Sequence, residues 1–111
     1  MKHIALLLLV LLSGYVSASA PIVTSSPTKV VLISSYNAYG GGDVIFRVGQ
    51  PHPSCEQGYW LTKSDPGFQA NLSMIIAAKQ SGSTVRVVAH PDQLWSGSGG
   101  AYCKLYAFNI E

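Results

Sequence analysis

Most of the side chains that could do chemistry fall in a few short stretches. In HPDQLWSGS, His90, Asp92, Ser96 and Ser98 supply the residue types of a Ser-His-Asp hydrolase. Their arrangement argues against one. Pro91 between His90 and Asp92 predicts a turn, and Ser98 lacks the glycine two residues earlier that a nucleophile elbow requires. His52 and Cys55 have a ligand-like spacing only while the thiol is free, and two cysteines with one histidine are too few donors for a metal. Gly40 to Gly42 lack the Lys-Ser/Thr partner of a phosphate loop and read as a hairpin tip. The sequence therefore predicts a protein without enzymatic activity, metal or cofactor.

The aromatic residues make the stronger case. Tyr36, Asn37 and Tyr39 lie in one loop, and His90, Asp92, Gln93 and Trp95 lie in another. An aromatic face covers the apolar C–H patch of a sugar while amide and carboxylate groups take its hydroxyls, and the two loops hold both kinds of group. These seven residues are the expected ligand-binding set. Trp60, beside Tyr59 in a strand near a cysteine, is expected in the core. For Trp95, packing and contact with a partner both stay open, since SGSGG after it offers no side chain to cover an indole. DQLWSGSGGAYCKLY reads as a recognition tip held at its base by a cysteine bridge.

The elements that must position these loops follow from the chain's patterning. Met1-Lys2-His3, the apolar run Ile4 to Leu12 and the small residues around Ala18 form an export signal over residues 1–18. A cut after Ala20 would place Pro21 next to the scissile bond, so the cut is expected after Ala18. The apolar run is shorter than the roughly 20 residues that span a bilayer, so no membrane span is expected and the location is secreted or periplasmic. Roughly 90 residues remain, enough for one small domain with a marginal core. In an oxidising compartment Cys55 and Cys103 are expected to pair, closing a loop worth about 4 kcal/mol in the chain-entropy model.

Charged residues make up 11% of the chain, against a typical quarter. Lys29, Arg47, Lys63, Lys79, Arg86 and Lys104 are scattered rather than clustered, which disfavours nucleic acid as a partner.

After an extended lead-in over 19–28, a single domain is expected over 29–111. KVVLIS and VIFRV predict two strands joined by a glycine-rich tip. GQPHPS must be a connection, because two prolines cannot donate to a ladder. CEQGYWLT predicts a short strand. Asp65 and Pro66 predict a helix start, with Ser81-Gly82 as its end. Phe68, Leu72, Ile75 and Ile76 form the expected core face of that helix. Ala70, Met74, Ala77 and Ala78 fill much of the rest, nearly without charge, and predict a subunit interface in a homo-oligomer. TVRVVA and AYCKLYAFNI complete the order β-β-β-α-β-β, with Tyr102, Lys104, Tyr106 and Phe108 expected on one face of the last strand.

That order, with DPGFQANLSMIIAAKQSGSTVRVVAHPDQLW followed by AYCKLYAFNI in a small exported domain with one disulfide, resembles the B subunits of bacterial AB5 toxins. The resemblance implies an α+β, mostly β fold: an OB-like five-stranded barrel with one helix. It also implies ring assembly with the helices around a central pore, recognition of a glycan on a glycosylated host surface, and a catalytic A subunit as companion. CEQGYWL, SDPGF and AYCKLY also resemble a broader set of small bacterial exported proteins, which implies no activity. The other reading is a periplasmic or secreted protein-binding inhibitor or immunity-like factor.

Overall fold

A computed structural model describes residues 21–111; the export signal expected over 1–18 lies outside the described residues. The strands are β1 (Val23–Thr24), β2 (Val30–Ser35), β3 (Val44–Val48), β4 (Gly58–Leu61), β5 (Val85–Leu94) and β6 (Tyr102–Ile110), and the helix is α1 (Phe68–Ser81). Among the described residues the fold is mostly β with one α-helix, in the order read from the sequence once β1 is added.

The strands form one mixed sheet, β1-β5-β6-β4-β3-β2, antiparallel except for β4 beside β6. The two ends of that order are consecutive in the chain. Ser25 and Thr28 bond to β5 through Val87 and Val85, while Val30 pairs with Val48 of β3. One bent segment, Val23 to Ser35, thus joins both edges of the sheet and curls it into a barrel of five strands' width, which removes most open edge. The lead-in expected over 19–28 is part of this barrel from Val23 onward, with Ser25 and Thr28 buried.

Inside lie Val44, Phe46 and Val48 of β3, Tyr59 and Leu61 of β4, Val85, Val87 and Ala89 of β5, and Leu105 and Phe108 of β6. Phe46 stacks on Tyr59 and meets the edge of Phe108, with centroids 5.3 and 5.7 Å apart. Phe108 was expected to share a face with Lys104. The register slips between Val88 and Ala89, opposite Ala107 and Leu105, leaving Tyr106 unpaired as a bulge that turns Phe108 inward.

α1 packs against β2 and β6. Phe68, Ile75 and Ala78 are buried and Leu72 is half-buried, whereas Ile76 is exposed. Two expectations are corrected here. Ile76 leaves the core face, and Ala78, expected at a subunit interface, is 1% exposed and packs in the barrel core. The helix axis is rotated so that the 68/75/78 stripe faces inward. Ala70, Met74 and Ala77 remain on the outer side, joined by Ile76. Asp65 does not cap α1. Its Oδ2 accepts from the Thr62 N–H at 2.9 Å and its Oδ1 pairs with Lys104, while the backbone of Gly67 starts the helix and Gly82 closes it.

Cys55 and Cys103 form the expected disulfide. No helix among the described residues is long and apolar enough to cross a membrane.

Candidate functional site

The outward positions of β3, β4 and β6 carry a second cluster, separate from the barrel interior: Ile45, Trp95 and Tyr102, with Trp60 packed against it. Ile45 points away from the barrel yet is 4% exposed, because this cluster covers it.

Trp95 lies at its centre. The β2–β3 loop and the β5–β6 loop, far apart in sequence, converge on it. Its ring is 5.4 Å from that of Tyr36, 5.6 Å from Tyr39 and 5.5 Å from Tyr102, the last two edge-on. Its indole N–H donates to Asp43 Oδ2 at 2.8 Å, and Tyr39 and Ser96 share a hydroxyl hydrogen bond of 2.9 Å that ties the two loops. Trp95 is therefore packed, at 5% exposure, while Tyr36 and Tyr39 above it are 41% and 44% exposed. The glycines after Trp95 do cover it. A Cβ on Gly97 would fall 2.3 Å from Trp95 Cζ2, so the bare backbone of Gly97 lies directly on the indole. Gly97→Ala is accordingly expected to displace the ring, destabilise the fold by about 1–3 kcal/mol and red-shift tryptophan emission; an unchanged spectrum and melting point would show that the loop yields without cost.

Asn37 sits exposed beside Tyr36. The other expected binding residues lie further along the same face. His90-Pro91-Asp92, expected to turn, runs on within β5: His90 pairs with Lys104 and Leu94 with Cys103, so Pro91, Asp92 and Gln93 bulge out unpaired. A proline fits there because no ladder bond is asked of it. The Trp60 indole N–H holds the bulge by donating to the Gln93 carbonyl at 2.9 Å, and Asp92 and Gln93 are exposed. His90 is half-buried, edge-on to Tyr106 at 5.3 Å. The structure thus gathers Tyr36, Asn37, Tyr39 and Trp95 at the loop tip, with His90, Asp92 and Gln93 along the strand. Neither Ser96 nor Ser98 is hydrogen-bonded to His90, and His52 Nδ1 accepts from the Ser54 N–H.

Trp60, expected inside, lies on this outer face with Lys104 Nζ 4.2 Å above its ring. Lys104 also pairs with Asp65 at 2.8 Å. Arg47 donates twice to the Tyr102 hydroxyl, at 3.0 and 2.7 Å. The guanidinium reaches it across Gly58, whose φ of +144° and close approach to the Phe46 carbonyl leave no room for a Cβ. Arg47, Trp60, Tyr102 and Lys104 were not picked out in the sequence as site residues. The outward phase of each strand's alternation was the signal that could have found them.

No enclosed pocket is present, and no group of three or more His, Cys, Asp or Glu side chains is placed to hold a metal, among the described residues. No family model, curated protein or solved structure matches this chain.

Proposed function

We propose that this protein is an exported, non-enzymatic binding module that recognises glycans through the outer face of its barrel. The observation that carries the reading is the convergence of two distant loops to present Tyr36 and Tyr39, exposed, on a rigid base of buried Trp95. Exposed rings held by buried ones lose little freedom on binding, and a shallow aromatic shelf suits the flat face of a pyranose. Asn37 beside the shelf, with Asp92 and Gln93 further along, supplies the polar groups that sugar hydroxyls need. The β3–β4 face with its flanking loops is also where OB-type barrels bind oligosaccharides.

Ring assembly like that of a toxin B subunit belongs to the same reading. Its support is the outer side of α1, where Ala70, Met74, Ile76 and Ala77 face outward and the last turn holds one basic residue, Lys79. A glycosylated host surface is then the natural partner, and a catalytic A subunit the natural companion.

Glycan-array binding combined with analytical sedimentation tests this. The wild type is expected to bind a glycan as an oligomer, and Tyr39→Ala or Tyr36→Ala to weaken binding about tenfold or more with little loss of stability, since both rings are over a third exposed. A monomer that binds no glycan refutes the reading.

A protein-binding inhibitor or immunity-like factor is the second reading. It is favoured by half-buried Trp60 and exposed Arg47 on this outer face, residue types enriched in protein–protein hot spots. Recovery of one stoichiometric protein partner and no sugar would select it.

A further inference from the structure

The geometry points to Asp43 as the polar anchor of the binding face, an acceptor waiting for a hydrogen-bond donor on the ligand; this rests on the glycan reading. Asp43 is 3% exposed, and its carboxylate accepts from the Trp95 indole through Oδ2. Its other oxygen, Oδ1, is buried and has no hydrogen-bond partner among the described residues. A buried carboxylate left one donor short is costly, and such a group in a native fold calls for a reason.

Its surroundings supply one. The backbone N–H of Asp43 donates to the Tyr39 carbonyl and its own carbonyl accepts from the Tyr36 N–H, so the residue is bracketed by the two exposed tyrosines of the shelf. Gly40 lies directly against it, the first of three glycines whose φ values are 63°, 79° and 114°. A Cβ on Gly40 would fall 2.1 Å from Asp43 Oδ2 and 2.4 Å from Oδ1, so the carboxylate occupies the space that any side chain there would need. Glycine alone allows this close cover, and a run of three glycines allows it to shift. The carboxylate lies between the backbone of Gly40 and the Trp95 indole, next to the rings that would hold a sugar.

A carboxylate accepts and does not donate. The ligand group that reaches it is therefore a hydroxyl or an ammonium, and carboxylate, sulfate and phosphate groups are excluded from this end by charge. The chemical class is a neutral or amino sugar presenting a hydroxyl or amine edge over Tyr36 and Tyr39. Acidic substituents on the same glycan are tolerated only towards the cations of the face, Arg47 and Lys63, the latter with its stem against Gly42.

Asp43→Asn is the informative variant, because the amide oxygen still accepts from Trp95 while the Oδ1 position becomes a donor. On an array of neutral, amino and acidic glycans, wild type is expected to favour neutral or amino members, and Asp43→Asn to bind them roughly ten- to hundredfold more weakly at an unchanged or higher melting temperature. In wild type, NMR resonances of the Trp95 indole N–H and the Gly40 to Gly42 amides are expected to move on adding the best-bound glycan. Equal binding by Asp43→Asn, still resonances at those positions on glycan binding, or binding confined to acidic glycans each overturns the assignment while leaving the glycan reading intact. Absence of any glycan binding by wild type overturns both.

Discussion

Replacing Trp95 by alanine is expected to lower stability by about 3–5 kcal/mol, the range for removing a buried tryptophan. The effect sits at the upper end of that range for two separable reasons. The first is packing: the indole fills the space between Tyr36, Tyr39, Tyr102 and the backbone of Gly97, and with Tyr102 and Trp60 it covers Ile45 from outside the barrel. The second is polar. Trp95 provides the hydrogen bond to Asp43, so its removal leaves both oxygens of a buried carboxylate unpartnered. Trp95→Phe divides the two, since phenylalanine keeps most of the ring surface and none of the N–H. It is expected to cost about 1–3 kcal/mol by itself, read from urea denaturation of each variant. If Trp95→Phe were as stable as wild type, the indole–carboxylate bond would contribute nothing and the cluster would be held by ring contacts alone.

The inside of this barrel was far easier to read from sequence than its outside. Strands β2 and β3, the helix with its Ser81-Gly82 end, and the partnership of Cys55 with Cys103 all announce themselves by local pattern or by compartment. What local pattern misses is register. The bulge at Tyr106 reverses the alternation of β6 and sends Phe108 inward, and the bulge at Pro91 to Gln93 turns an expected turn into the continuation of a strand. A one-residue slip exchanges the faces of everything after it, and nothing in AYCKLYAFNI marks where the slip falls. The helix shows the same limit on a smaller scale. Ile76 and Ala78 changed places relative to expectation because both are apolar, so hydropathy does not set the rotation of α1; its contact with β2 and β6 does.

The site was legible in one half. Tyr36 and Tyr39 were placed with Trp95 because loops rich in aromatic and amide residues stand out in a chain so poor in charge. The base of the shelf was not. Covering Trp95 takes the absence of a side chain at Gly97, and binding it takes Asp43, a residue that in sequence is only the polar end of GGGD. Both are facts about space between loops, which no period in the sequence encodes. They reverse the expected roles: Trp95 is the packed base, and in the proposed recognition the two exposed tyrosines above it meet the ligand.

The disulfide decides whether that support survives, because of where it lies in the barrel. β2, β3 and β4 form one antiparallel run, β1, β5 and β6 another; the bent segment Val23 to Ser35 joins them on one side, and on the other β4 runs parallel to β6, over Gly58 to Trp60 opposite Tyr102 to Lys104. A parallel pair of that length is a short junction, and slightly less stable per residue than an antiparallel one. Cys55, just before β4, is bonded across it to Cys103, whose neighbours Tyr102 and Lys104 carry the aromatic face on its far side. Closing a loop over a sequence separation of 48 contributes about 4 kcal/mol in the chain-entropy model, a large part of the 5–15 kcal/mol typical of a whole domain. The Cys55→Ala/Cys103→Ala double variant is therefore expected to melt roughly 15–30 °C below wild type. Glycan affinity and the blue-shifted emission of Trp95 are expected to vanish in the same transition, because the cluster spans the junction that opens. A fall of only a few degrees in calorimetry would mean that the parallel pair holds without its staple. Loss of the fluorescence signal well before the main heat peak would mean that the outer cluster melts as a unit of its own, and that the aromatic shelf does not depend on the barrel beneath it.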